Sequence, residues 1–258
     1  MLLEAKASVD NCNNYGETAL LWASIGGYIN IAKLLIQHKA NVNATNKQGE
    51  SPILWATISN HIDFVRMLVD NKANINVKTH KNETPLMRAS MKGLTDMVHT
   101  LISLSANVND ENIDNNTALM TACNFGHNAI ITALLKSNAN INHKNRQGMT
   151  PLIIASTVGH FHTVQLLVVQ GANLEDTDFV NGNTPLHCSC WRNYPQIVQL
   201  LLDSRTNINK QNQQGNSPLL LATTSGHKGI VQILLENDAD LQITNSKGQT
   251  ALSIAKET

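Results

Sequence analysis

The side chains best suited to chemistry lie in segment 187–190, where His187 is followed by Cys188 and Cys190. Imidazole and thiolate groups are the usual ligands of zinc. The two thiols are two residues apart on a predicted helix, so their directions differ by about 200° and they cannot easily hold one ion. The acidic pair Glu175-Asp176 falls in a predicted turn and is interpreted as solvated surface. We therefore predict no metal site.

The ten histidines could also indicate acid–base or metal chemistry, but four of them share one position of a repeat. These four are His61, His127, His160 and His227. A position that recurs in this way is interpreted as structural. The phosphate-binding, nucleophile-elbow and H-E-x-x-H motifs are absent from the sequence. The sequence therefore predicts a non-enzymatic protein with no catalytic residues and no cofactor.

The charge balance argues against nucleic-acid and membrane partners. Lys plus Arg and Asp plus Glu each number 19, which gives a formal net charge of zero. Nucleic-acid binders usually carry a basic field, and membrane-surface proteins carry basic amphipathic segments. The longest apolar runs, such as 166–169, are too short to span a bilayer. We expect no nucleic-acid binding, no direct membrane insertion and no small-molecule substrate.

The cysteines favour a reducing compartment. Cys12, Cys123, Cys188 and Cys190 do not fall at paired positions of neighbouring repeats, and a chain of 258 residues needs no disulfide. We interpret them as free thiols, which are typical of the cytoplasm or the nucleus.

A regular repeat sets the elements that position these residues. Ser or Thr, then Pro or Ala, then Leu or Ile recurs at eight places, with steps of 33 residues and one step of 34 from Thr150 to Thr184. The starts are Thr18, Ser51, Thr84, Thr117, Thr150, Thr184, Ser217 and Thr250. Periods of about 20 to 50 residues are typical of solenoids, which grow by stacking.

One unit, 49–81, predicts two short helices and a projecting turn. Ser51 followed by Pro52 is typical of a helix start, and this first helix is predicted to end near Ile58. A second helix begins near Ile62 and carries an apolar stripe of Phe64, Val65, Leu68 and Val69. An extended, hairpin-like connection follows.

These segments resemble the ankyrin repeat over essentially the whole chain. The resemblance is carried by GNTPLH at 182–187, TVGH at 157–160, GHKGIVQILLENDADL at 226–241 and QGANL at 170–174. It implies an all-α solenoid of stacked helix-turn-helix units with projecting β-hairpin-like turns. It also implies a concave groove that is lined by first helices and hairpin tips.

The repeat divides the chain into a single domain, 1–258, with seven full units. The full repeats are 16–48, 49–81, 82–114, 115–147, 148–181, 182–214 and 215–247. Partial repeats are predicted at 1–15 and 248–258, and both ends are expected to fray. Neither end resembles a polar cap, so we expect a segment of a longer protein, the alternative being a short protein with half-repeat caps.

The sequence departs from the family pattern at two recurrent positions. Only His187 matches the family's histidine after Thr-Pro-Leu, and the other units carry mostly apolar residues there. Only Gly171 keeps the glycine that ends the second helix. Its counterparts are Lys39, Lys72, Ser105, Asn138, Arg205 and Asp238. Left-handed backbone at Lys or Arg costs on the order of 1 kcal/mol, so either these turns are remodelled or the array is only moderately stable.

Asparagine makes up about one residue in eight and is concentrated in the connections. It tolerates turns because it bonds its own local backbone. Some ankyrin-repeat proteins are hydroxylated at a hairpin Asn, so the resemblance also implies candidate modification sites. These are Asn43, Asn76, Asn109, Asn142 and Asn209.

The resemblance places a set of mostly apolar, aromatic and basic residues in the groove. They are Trp22, Ile25, Trp55, Ile58, Arg88, Met91, Lys92, Asn124, Phe125, Thr157, Val158, Trp191, Arg192 and Thr224. Exposed apolar surface typically marks a partner site, and Trp and Arg are enriched in binding hot spots. Packing between repeats is favoured for Trp22 and Trp55, and binding is favoured for Trp191. The three basic residues either meet an acid of a partner or stay solvated.

The 34-residue step contains one extra residue and puts Phe179 and Val180 near a hairpin tip, where apolar side chains are unusual. We expect a protein or peptide partner, bound by a module of a larger intracellular scaffold or adaptor. The alternative is a targeting or regulatory region of an enzyme, ion channel or secreted effector whose active domain lies elsewhere. A designed array is disfavoured because the Gly, His and hairpin positions are irregular.

Overall fold

The structure, a computed structural model, describes residues 8–257. Within that range the chain forms fifteen α-helices and no named strand, which confirms the predicted all-α fold class. One isolated antiparallel bridge joins Cys12 and Thr18. The helices are α1 (Ala19–Gly26), α2 (Ile29–Gln37), α3 (Pro52–Ile58), α4 (Ile62–Asp70), α5 (Pro85–Lys92), α6 (Thr95–Ser103), α7 (Ala118–Phe125), α8 (Asn128–Lys136), α9 (Pro151–Val158), α10 (Phe161–Val169), α11 (Pro185–Trp191), α12 (Pro195–Asp203), α13 (Pro218–Thr224), α14 (Lys228–Glu236) and α15 (Ala251–Glu257).

The described chain divides into two compact units. Unit 1 comprises 8–122 and 129–139, and unit 2 comprises 123–128 and 140–257. In unit 1, α3 packs between α1 and α5, and each of these first helices packs on the second helix of its pair. In unit 2, α11 packs between α9 and α13 in the same manner, and α15 packs on α13. Residues 1–7 of the predicted partial repeat 1–15, and Thr258 of the predicted repeat 248–258, lie outside the described residues.

The first helices begin where the Ser/Thr signature places them. Ser51 has extended backbone, and its hydroxyl oxygen accepts a hydrogen bond from the amide of Leu54 at 3.4 Å. Thr150 accepts from Ile153 in the same way at 3.2 Å. Pro at the next position loses nothing, because that amide has no partner inside the helix.

The second helices supply the apolar stripe that the sequence predicts. In α4, Phe64, Val65 and Leu68 are completely buried. One pair of short helices cannot bury such a stripe alone, so stacked neighbours complete the core of each unit.

The turn after each second helix is not remodelled. Lys39, Lys72 and Arg205 have φ angles of 71°, 70° and 64°, within the left-handed region that glycine normally fills. The amide after Lys72, that of Ala73, donates to the main-chain oxygen of Leu68 at 2.9 Å, as in a Schellman C-cap. The array therefore keeps the family's turn geometry and carries the backbone strain.

The one 34-residue step is absorbed by Asp178, which is 6% exposed. In the connection of the preceding 33-residue repeat, Asn145 accepts hydrogen bonds from the amides of Gln147 and Met149. Asp178 instead accepts from Val180 and Asn181 with one oxygen and from Asn183 with the other. The extra residue moves the amide of Asn183 out of reach of Oδ1, and the second carboxylate oxygen, Oδ2, accepts its hydrogen bond instead.

The hairpin Asn residues join neighbouring repeats. Asn43 accepts a hydrogen bond from the amide of Asn74 at 2.8 Å, and Asn142 accepts from Asn173 at 2.9 Å. Glu175 takes the equivalent place and accepts from the amide of Asn207 at 2.8 Å. These asparagines therefore tie one connection to the next.

Candidate functional site

Three of the four thiols are buried and poorly suited to nucleophilic chemistry. Burial raises the pKa of Cys188 to about 11 and raises the pKa of Cys123 and Cys190 still further. Cys12 is exposed, and all four cysteines are free. A thiol is a good nucleophile only as the thiolate, which these buried groups do not form near neutral pH.

His187 is a structural side chain that bonds the start of its own helix and the following connection. Its Nε2 donates to the main-chain oxygen of Asn216 at 3.0 Å, because a carbonyl oxygen can only accept. Its Nδ1 is therefore unprotonated, and it lies 2.8 Å from the hydroxyl oxygen of Thr184. Burial lowers the pKa of His187 to about 4, so the ring is neutral near pH 7. It closes a capping box at the start of α11.

The recurrent histidines join the first helices of neighbouring repeats. The Nε2 atoms of His61, His160 and His227 each donate to a main-chain oxygen 36 residues earlier, at 3.0–3.1 Å. The accepting residues are Ile25, Asn124 and Trp191. These bonds fix the ends of the first helices, where the predicted groove residues lie.

In unit 1, Trp22, Trp55 and Arg88 occupy one column, that is, the same position of successive repeats, but they differ in environment. Trp22 is 53% exposed, so the expected packing of this side chain between repeats is wrong. Trp55 is half-buried, and its Nε1 donates to Glu50 Oε2 at 3.2 Å. Arg88 forms an ion pair with Glu83 Oε2 at 2.7 Å. A cleft of about 310 Å³ opens beside both carboxylates.

The remaining unit 1 candidates lie at the ends of the first helices. Ile25, Ile58 and Met91 are half-buried, and Lys92 is exposed.

Unit 2 exposes large apolar groups at the last residues of its first helices. Phe125, Val158 and Trp191 are 47%, 41% and 49% exposed at the ends of α7, α9 and α11. Asn124 is also exposed, whereas Thr157 is half-buried. Thr224 is exposed, but its hydroxyl donates to the main-chain oxygen of Leu220.

Arg192 lies against the Trp191 ring, with its Cζ 4.4 Å from the ring centroid. Neither ring nor guanidinium is enclosed, so the pair forms one amphipathic surface element. Within residues 8–257, Arg192 forms no ion pair with a carboxylate.

Phe179 and Val180 are exposed at the hairpin tip, by 60% and 66%. The Phe179 ring lies over Gly148, where an added Cβ would come within 2.6 Å of it. Lys144 Nζ is 6.0 Å from the ring centroid and pairs with Asp176 at 2.7 Å. One face of Phe179 is thus held in place, while Val180 remains open to solvent.

Sequence reasoning missed the partners that hold these residues. Glu50 and Glu83 each lie five residues before Trp55 and Arg88, a recurrence that the repeat makes visible. Tyr194 occupies the column of the recurrent histidines, and its hydroxyl donates to the main-chain oxygen of Val158 at 3.0 Å. The position of Tyr194 in the repeat could have predicted this bond, although Tyr replaces the His of the other repeats.

The described part of the chain contains neither a metal-binding cluster nor a membrane-spanning helix. No cluster of three His, Cys, Asp or Glu residues there could hold a metal ion. Over the same range, every helix is too short or too polar to cross a bilayer.

The chain is similar to known ankyrin-repeat proteins. The family model described as ankyrin repeats (3 copies) matches residues 1–79, 76–145, 138–212 and 204–257. The crystal structure of the human ASB11 ankyrin repeat domain is 28% identical, with a TM-score of 0.76, and the match covers 87% of this chain and 99% of that chain. The ankyrin repeat domain of Bcl-3, a member of the IkappaB protein family, is 28% identical, with a TM-score of 0.75 and coverage of 81% and 95%. No curated protein sequence matches the chain.

Proposed function

Because this chain belongs to the ankyrin-repeat family, we propose that it binds a protein or peptide along the surface formed by its first helices. The ankyrin repeat is a general, non-catalytic protein–protein interaction module. The observation that carries the proposal is the exposure of Phe125, Val158 and Trp191, the last residues of three successive first helices of unit 2. Large apolar side chains cost stability when they face water alone, and clusters of them are typical of partner sites.

The proposed binding residues fall into two sets, one for each unit. In unit 1 they are Trp22, Ile25, Trp55, Ile58, Arg88, Met91 and Lys92. In unit 2 they are Asn124, Phe125, Thr157, Val158, Trp191, Arg192 and Thr224, with Phe179 and Val180 at the hairpin tip. We give most weight to Trp191, because it combines exposure with a neighbouring Arg, and both residue types are enriched in hot spots.

The proposal extends to the cellular role. The chain serves as a recognition module of a scaffold or adaptor, with seven full repeats and partial repeats at 1–15 and 248–258. Its four free thiols support a reducing compartment, the cytoplasm or the nucleus.

The test is a pull-down from cell lysate with wild type, Trp191→Ala and Phe125→Ala, with bound proteins identified by mass spectrometry. Both substitutions remove exposed side chains, so circular dichroism should show folded variants. Val169→Ala is the matched control, because Val169 is 75% exposed at the end of the second helix α10. We expect a partner that is lost with the two groove variants and kept with the control. Equal recovery with all four proteins would contradict the proposed surface.

A further inference from the structure

The exposed residues of unit 2 change from apolar to cationic along one row. Each residue of the row directly precedes the left-handed residue that ends a first helix, namely Gly126, Gly159 and Asn193. The row is Phe125, Val158 and Arg192, and Trp191 lies beside it under the Arg192 guanidinium. We call these four residues the unit 2 stripe.

Three main-chain oxygens in or next to the unit 2 stripe accept hydrogen bonds from the following repeat. His160, Tyr194 and His227 donate to the main-chain oxygens of three residues at 3.0–3.1 Å. The accepting oxygens belong to Asn124, Val158 and Trp191. A surface whose backbone is fixed in this way loses little conformational entropy when a ligand binds.

The charge of Arg192 has no counterpart in its surroundings. The helices α9, α11 and α13 contain no Asp or Glu. The acids of the connection before α11 already have partners, since Asp176 pairs with Lys144 at 2.7 Å and Glu175 with Lys210 at 3.2 Å. Asp178 in the same connection accepts hydrogen bonds from three main-chain amides. Burial acts to raise the pKa of Glu175, but hydrogen bonds from Asn207, Thr206 and Lys210 outweigh it and lower that pKa. Over residues 8–257, no carboxylate pairs with Arg192.

Resting on the function proposed above, we propose that the unit 2 stripe binds a linear peptide segment with an acidic residue close to a large apolar residue. The carboxylate accepts a two-point hydrogen bond from Arg192, which the stacked Trp191 ring holds in place. The apolar side chain packs against Val158 and Phe125.

The repeat also sets the spacing in the peptide. Packed helices lie about 8–10 Å apart, so Val158 and Arg192 are separated by about that distance. An extended chain covers about 3.3 Å per residue, which places the acid about three residues from the apolar group.

The test uses synthetic fluorescent decapeptides with a Ser/Gly background, one Leu or Phe, and one Asp at one to six residues from it. Each has a twin with Asn in place of Asp. We expect fluorescence anisotropy to show tightest binding near a spacing of three, and binding about tenfold tighter than that of the Asn twin. Arg192→Gln should remove the difference between the twins. Lys228→Gln, which removes a charge from α14, should keep it.

The outcomes separate this inference from the function on which it rests. Equal binding of the Asp and Asn twins, together with loss in Trp191→Ala, would overturn the acidic preference and leave the binding surface intact. Binding that is unchanged in both Trp191→Ala and Phe125→Ala would overturn the surface as well. A preference for basic peptides, or no binding by any decapeptide, would also overturn the inference.

Discussion

The hydroxyl of Tyr194 donates to the main-chain oxygen of Val158, 36 residues earlier, at 3.0 Å. His227 and Trp191 have the same relationship at 3.0 Å, although the donor is an imidazole. Two different side chains therefore perform one task, which is to tie the start of a second helix to the end of the preceding first helix. Because the tied carbonyls belong to Val158 and Trp191, this device connects the stability of unit 2 to the geometry of its proposed binding surface.

The first prediction concerns this bond. Tyr194→Phe removes the hydroxyl and keeps the ring against Gly159, so unfolding free energy should fall by about 1 kcal/mol. Urea denaturation followed by circular dichroism measures the change. Tyr15→Phe is the control, because Tyr15 is 65% exposed and its hydroxyl has no partner among the described residues. Equal stability of Tyr194→Phe and wild type would show that the bond contributes nothing.

The second prediction concerns the strained turns after the second helices. Lys72 and Arg205 are exposed and have φ angles of 70° and 64°. Left-handed backbone costs L residues about 1–2 kcal/mol, and glycine avoids this cost. Glycine also loses more conformational entropy on folding, which offsets part of the gain in stability. Lys72→Gly and Arg205→Gly should each raise the unfolding free energy by about 0.5–1 kcal/mol.

The same turns provide a control for the second prediction. Asn138 has a φ angle of 62°, but Asn tolerates this region better, so Asn138→Gly should gain less. Urea midpoints of the three variants give the comparison. A loss of stability in both Lys72→Gly and Arg205→Gly would mean that strain at these turns is negligible.

How far the sequence determined these features differs from residue to residue. The 33-residue period located the helices, and Ser51 followed by Pro52 predicted where a first helix begins, because these effects are local. Trp22 and Trp55 occupy the same position of successive repeats, but their environments differ. Glu50 accepts a hydrogen bond from Trp55 at 3.2 Å, whereas Trp22 is 53% exposed. A side chain's exposure depends on what its neighbours leave uncovered, which the repeat alone does not encode.

The third prediction concerns pH. The pKa of buried His187 is about 4 in the folded protein, against 6.5 as its ordinary value. Between these values the unfolded chain binds more protons, so stability is fully present above about pH 6.5 and is lost as the pH falls towards 4. The loss amounts to about 3 kcal/mol at most, from a shift of about 2.5 pKa units.

The matched variant for the third prediction comes from the repeat itself. Other repeats have Leu21, Leu54 or Leu220 at the position of His187, so the His187→Leu variant should fold. Unfolding free energies measured from pH 4 to 7 should slope less in this variant than in wild type. The lowered pKa of Glu175 adds a pH dependence only at the acid end of this range, as the pH falls below about 4.5, and Glu175 is present in both proteins. Identical slopes would contradict the buried neutral state of His187.

The fourth prediction concerns the 34-residue step. Asp178 accepts hydrogen bonds from the amides of Val180, Asn181 and Asn183, and its side chain is almost completely buried. Asp178→Ala leaves these amides without their acceptor, so unfolding free energy should fall by about 2–3 kcal/mol.

Deleting Val180 from this connection tests whether the extra residue is what requires the carboxylate. The deletion restores a 33-residue step, in which a side chain with one acceptor oxygen suffices, as Asn145 shows with Gln147 and Met149. In that background Asp178→Asn should cost less than it does in wild type, since only one acceptor oxygen is needed. A double-mutant cycle of the two changes, measured by urea denaturation, gives the coupling directly. Zero coupling would mean that the second oxygen of Asp178 does not stabilise the longer connection.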